Sequence, residues 1–306
     1  MRKIVIGCLV GLLGGAGCAV DPGDAGDPEA VDPPAQASVA QSIQGGAVES
    51  GTPSVGFLRI LRNYNGSVFY DACTATLISP VVVLTAAHCL PRPGTGDSLD
   101  GFYTGPGSPV APGQLPANLT WHGISSYLVY PGDTYHPGAY DFSLDMTICP
   151  AAHIDLGLVR LAQPINGVGM YDWQHFTAAV QGNSCTTIGY GLHGTSYGEK
   201  YAAQDTLDST PGPTWYTAPS STGLVVRWNS GDNGIADHGD SGGPLVCNTQ
   251  WGWMIAGTVS CHNEDVDVRA PGGTETYAPI FEQWGQGPSV WIEYYWCTWT
   301  GYLCYV

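Results

Sequence analysis

Basic residues are scarce in this sequence: 9 Lys and Arg stand against 26 Asp and Glu in 306 residues, a formal net charge of −17. Phosphate recognition needs clustered cations, so neither nucleic acid nor an anionic membrane surface is expected as a partner. The acidity itself reads as solubility and mutual repulsion. A Cys-x-x-Cys pair is absent, which removes the common thiolate zinc sites, and no metal or other cofactor is expected. Sustained helical periodicity is missing, which argues against a helical class. The apolar run at residues 4–17 falls short of the ~20 residues that cross a bilayer, so no membrane span is expected.

What is present is turn chemistry and short apolar runs. The chain has 43 Gly and 23 Pro, and 43% of its residues are hydrophobic, enough for a sizeable core. Short strand-forming runs between glycines predict an all-β protein. Strands are expected at Val48, residues 55–58 and 60–61, a pair within 73–84 turning at Ser79-Pro80, then 128–130 and 155–161. In the second half they are expected near 186–190, 224–228, 243–247 and 251–260. Residues 91–140 are rich in Gly and Pro and sparsely patterned.

The N-terminus has the layout of an export signal, with Arg2 and Lys3 ahead of the apolar run. Either cleavage falls among the small residues 16–19, or Gly15-Ala16-Gly17-Cys18 acts as a loose lipoprotein box and Cys18 carries a lipid anchor. Residues 1–18 are thus read as signal and 19–42, rich in Asp, Pro, Ala and Gly, as a propeptide or linker too poor in apolar side chains to fold. The folded part begins at Ile43. Secreted or envelope-anchored localisation follows.

The chain is organised around residues 238–244, His-Gly-Asp-Ser-Gly-Gly-Pro. Serine is a poor nucleophile unless a base and an orienting acid are supplied elsewhere. Leu84-Thr85-Ala86-Ala87-His88-Cys89 offers the base, and the strand-like segment opening at Asp155 offers the acid, 67 residues later. Asp141 and Asp145 are rival acids, but neither precedes a buried-looking strand. The remaining histidines carry no supporting pattern.

In that order, His88, Asp155 and Ser241 resemble the trypsin/chymotrypsin family of serine proteases. The resemblance covers about residues 43–296. It implies two packed six-stranded antiparallel barrels, about 43–163 and 177–296 within a domain of 43–306, closed by a helix near 290–296. Ser241 would attack a carbonyl, His88 would take its proton, and Asp155 would hold the imidazole. The amides of Gly239 and Ser241 would form the oxyanion hole. Cleavage before Ile43, by another protease or by the enzyme itself, would free an α-amino group to pair with Asp240, so the precursor would be a zymogen.

The resemblance also implies the bridges Cys73–Cys89 and Cys185–Cys247, in keeping with an oxidising compartment. Cys149, Cys261, Cys297 and Cys304 remain; Cys149–Cys261 and Cys297–Cys304 is one pairing among the alternatives. The family's specificity-pocket base falls on Ile235, with Ser260 on the cleft wall and His262 at the rim. The lack of an acid at Ile235 favours a small or apolar residue before the cut bond. The leading reading is an exported serine endopeptidase acting on protein or peptide substrates. A non-catalytic binding module on the same scaffold is the alternative.

Overall fold

The computed structural model describes residues 43, 46–64, 66–130, 155–173, 182–193, 195–209, 224–227, 236–262, 274–279 and 288–302. The signal and linker, Cys18, Cys149, Ile235 and Cys304 lie outside them.

Most of the described chain is strand. β1 (Ala47–Val48), β2 (Val55–Tyr64), β3 (Ser67–Ser79) and β4 (Val82–Thr85) lead into a single helical turn, Ala87–Cys89. Then come β5 (Ser98–Thr104), β6 (Gly107–Val110), β7 (Thr120–His122), β8 (Ile124–Val129) and β9 (Gly157–Leu161). The second half holds β10 (Asp172–Trp173), β11 (Ser184–Gly189), β12 (Tyr197–Glu199), β13 (Tyr201–Ser209) and β14 (Leu224–Arg227). β15 (Pro244–Thr249), β16 (Gly252–His262), β17 (Thr274–Pro279) and the helix α1 (Pro288–Thr300) complete it.

One sheet runs β7-β5-β2-β3-β4-β9-β8. β7 and β8 are parted only by Gly123, and they pair with β5 and β9 at the two ends of that order, so the sheet curls back on itself. The other sheet runs β1-β13-β11-β15-β16-β17-β14, and a β13–β14 pairing closes six of its strands into a ring. Closure removes sheet edges that would otherwise invite pairing with other chains. β10 adds to β16 in parallel, and β6 pairs with β12 in a small ribbon. The all-β expectation and the closing helix hold. The strands β5 to β7 lie in the region expected to be sparsely patterned.

Alternation explains the core of the first sheet. Leu58 and Ile60 of β2 point inward with Ala75 and Leu77 of β3, Val83, Phe102 and Val159. In the second, Leu207, Leu245 and Val259 do the same. A third cluster joins both sheets to α1, through Leu84, Leu158, Val246, Ile255 and Ile292. A fourth packs Val55, Phe57 and Tyr103 against Ile188 and Tyr190. The two sheets are therefore sealed along a shared apolar seam.

Candidate active site

Polar groups cross the seam where Ser260 of β16 meets Asp155 and where the Ser241 carbonyl meets Thr74 of β3. β4 ends at Thr85 and the chain tightens into the turn Ala87–Cys89, pinned to β3 by the disulfide Cys73–Cys89. That turn presents His88. β9 pairs with β4, Thr85 opposite Gly157, which brings Asp155 alongside. The His88 Nδ1 and Asp155 Oδ2 atoms are 2.6 Å apart, and the His88 amide donates to Asp155 Oδ1 at 2.9 Å. The acid thus holds both ring and backbone of the histidine.

Electrostatics follow from that contact. Burial alone would lower the His88 pKa, but the charge of Asp155 and its hydrogen bond outweigh burial and raise it. Burial would likewise raise Asp155; the facing imidazole and the bonds from His88 and Ser260 pull it down. Ser260, on β16, donates its hydroxyl to Asp155 Oδ2 at 2.8 Å. Expected on the cleft wall, Ser260 is thus engaged with the acid. His262 closes the same strand.

Ser241 comes from the loop before β15. Its carbonyl accepts the Thr74 amide at 2.9 Å, and the Cys89 sulfur lies 3.5 Å from the same oxygen. The loop is thereby docked against the residue that follows His88. Gly242, at φ +78°, makes this approach feasible: a Cβ there would lie 2.1 Å from Thr85 Oγ1 and 2.5 Å from the Thr74 carbonyl. Among the described residues the half-buried Ser241 makes no side-chain hydrogen bond.

The amides of this loop divide into two sets. Those of His238, Asp240, Gly242 and Gly243 donate to Asp237 Oδ1, Asp237 O, Val259 O and Asp240 O. Those of Gly239 and Ser241 meet no protein acceptor among the described residues. Both residues are half-buried, so these two donors lie within reach of an acceptor from outside the chain.

Asp240 is fully buried. Its Oδ2 accepts from the backbone nitrogens of Ile43 and Asp237, both at 3.0 Å, and its Oδ1 from Gly191 at 2.8 Å. Burial pushes its pKa to about 7, a rise that those three amides only partly offset. Ile43 is itself fully buried, at φ 24°, an unusual angle for a β-branched residue.

Two supports were not anticipated from the sequence. Thr74 Oγ1 donates to Gly239 O and accepts from Tyr190 N, both at 3.0 Å, tying the Ser241 loop and the end of β11 to β3. Arg62, buried on β2, reaches the carbonyls of His88 and Leu90. Strand alternation was the one available signal, since Arg62 follows Leu58 and Ile60 in the inward phase.

Of the cysteines, Cys73–Cys89 and Cys185–Cys247 are bridged as expected. Cys73, His88 and Cys89 converge within 4.8 Å, but both sulfurs belong to the disulfide and neither is available as a thiolate. Cys297 is disulfide-bonded. The Cys149–Cys261 and Cys297–Cys304 assignments involve partners outside the described residues. Among the described residues no helix is long and apolar enough to cross a membrane.

Comparison with known proteins adds the following. The family model described as Trypsin matches residues 49–284. An uncharacterized peptidase of Corynebacterium glutamicum is 25% identical over 226 residues, covering 73% of this chain and 64% of its own length. Spermosin of Halocynthia roretzi is 23% identical over 197 residues, 61% of this chain and 47% of its own. The chain thus spans less than two thirds of the length of these relatives. A solved mutant of human heparin binding protein (CAP37) superposes with a TM-score of 0.51 at 18% identity, covering 82% of this chain and 94% of its own.

Proposed function

Because the chain belongs to the trypsin family, we propose that it is an exported serine endopeptidase that cleaves peptide bonds through an acyl-enzyme. The observation that carries this reading is the His88–Asp155 pair beside the Ser241 loop, with the Gly239 and Ser241 amides left open. In the mechanism, substrate binding brings the Ser241 hydroxyl to the imidazole, a contact that commonly tightens only when substrate is present. His88 accepts the proton as the oxygen attacks the carbonyl carbon. The two open amides hold the oxyanion, each worth ~10²–10³-fold in rate. His88 then returns the proton to the leaving amine, and water repeats the sequence on the acyl-enzyme.

Activation by cleavage before Ile43 is part of the proposal. A buried carboxylate bonded only to neutral amides, with the Asp237 carboxylate nearby, favours its protonated form; an α-ammonium in place of the Ile43 amide supplies the missing charge. Cleavage also frees Ile43 from its unusual φ, since a chain terminus has no preceding carbonyl to clash with. Export accords with the disulfides. Preference for a small or apolar residue before the cut bond rests on Ile235 at the expected pocket base.

A binding-module reading is less favoured. Heparin is a polyanion, and a chain with 26 acidic and 9 basic residues is poorly suited to it. A fluorophosphonate probe tests catalysis directly. Labelling of the chain after cleavage before Ile43, lost in Ser241→Ala, is expected. Absence of labelling in a chain shown to be cleaved there would overturn the catalytic reading.

A further inference from the structure

We propose that Arg62 is a positioning residue for the base: its guanidinium grips the carbonyl of His88, whose amide and ring are held by Asp155, and fixes the turn that aims the imidazole. This inference rests on the serine protease reading above.

The geometry is specific. Arg62 Nη2 donates to the His88 carbonyl at 2.8 Å, and Nη1 to the Leu90 carbonyl at 3.0 Å. Nη1 also lies 3.3 Å from Asp97 Oδ2, and Nε 3.3 Å from Asp71 Oδ2. Asp97 has no exposed side-chain surface and is held in turn by Arg92 at 2.8 Å and by the Asn63 amide at 2.9 Å. Arg62 is thus fixed by two carboxylates and reads two carbonyls of one turn with a planar fork of donors, a pattern a lysine cannot reproduce.

A short helical turn leaves carbonyls without partners in its own backbone. The Ala87–Cys89 turn closes two, through the Cys89 amide to Ala86 O at 3.2 Å and the Leu90 amide to Ala87 O at 3.0 Å, and neither is the carbonyl of His88. Arg62 supplies the donors for the carbonyls of His88 and Leu90. His88 is then held at its amide by Asp155, at its carbonyl by Arg62, and through Cys89 by the disulfide to Cys73. With both ends of the residue fixed, the direction of the ring follows.

Packing alone does not call for this arginine. Arg62 occupies the inward phase of β2 after Leu58 and Ile60, where an aliphatic side chain would fill the core without the cost of burying a cation. Its charge also acts on the imidazole. Asp155 and Asp71 favour the protonated ring, whereas burial and Arg62 oppose it. Arg62 therefore helps keep His88 neutral and able to accept a proton.

The test uses the cleaved chain and the second-order rate of fluorophosphonate labelling across pH, with labelling stoichiometry correcting for unfolded protein. Arg62→Gln is expected to lower the plateau rate by about 10- to 100-fold, the scale of a small misplacement at a reacting centre. Its acidic limb is expected to move to higher pH. Arg62→Lys keeps the charge without the fork, so its limb should stay at the wild-type position while its plateau falls. Arg62→Gln with a lower melting temperature but the wild-type rate and limb would show a purely structural residue and overturn the proposal. If Arg62→Gln does not fold, a wild-type plateau in Arg62→Lys overturns it instead. A wild-type chain that takes no label removes the protease reading along with this one, whereas normal wild-type labelling with unaltered variants removes this one alone.

Discussion

The pocket around Asp240 makes a quantitative prediction about the uncleaved chain. With the Ile43 nitrogen an amide, the carboxyl has a pKa of about 7 in place of its ordinary 3.8. The difference, 7 − 3.8, is about 3 pH units, or about 4 kcal/mol at 1.36 kcal/mol per unit. The folded pKa is raised, so the contribution to stability is complete below pH 3.8 and is lost as pH rises through 7. Asn at this position keeps the shape and cannot ionise. Asn also loses one acceptor, a constant offset, so the wild-type-minus-variant stability in urea unfolding should fall by up to about 4 kcal/mol between pH 4 and pH 8. Subtracting the variant cancels the other carboxylates. In the cleaved chain the sign is expected to reverse, because an ammonium in place of the Ile43 amide favours the ionised acid. A wild-type-minus-variant difference that stays flat from pH 4 to 8 in the uncleaved chain would refute this reasoning.

Replacing Asp155 by Asn removes the acceptor for His88 Nδ1 and permits the wrong tautomer, so kcat should fall ~10⁴-fold with the fold intact; a loss under tenfold would dissociate Asp155 from the chemistry. Because Asp155 raises the His88 pKa above its ordinary 6.5, labelling of Ser241 should fall on acidification with a midpoint above pH 6.5, and a midpoint below it would contradict the pairing. Thr74→Val strands the Tyr190 amide and the Gly239 carbonyl, which should cost about 2 kcal/mol in urea unfolding, whereas Thr74→Ser should be close to neutral.

The legibility of the chain divided along physical lines. The strands next to His88, Asp155 and Ser241 could be read because runs such as Val82-Val83-Leu84 and Pro244-Leu245-Val246-Cys247 are buried throughout and therefore continuously apolar. β5 could not: Ser98–Thr104 contains Asp100 and Gly101, poor strand formers, and owes its conformation to pairing with β2 and β7. β13 alternates correctly, with Ala203, Asp205 and Leu207 inward, but an alanine and an aspartate give that alternation no hydrophobic contrast. The tertiary sheet overrides weak local preference in both.

The site divides in the same way, and for a chemical reason. Proton transfer and acyl chemistry admit few residue types, so a histidine, an acid and a serine in short distinctive segments announce themselves. A carbonyl oxygen accepts from any donor that reaches it. Nothing local marks Arg62 as the donor for His88, 26 positions away, or Asp97 as the anchor for Arg62, 35 positions beyond it. Such supports become visible only when the fold brings them together. Even so, an arginine in the inward phase of an apolar strand is costly without partners, and that cost is a sequence-level signal that partners exist. Here two of those partners lie on the turn that carries His88.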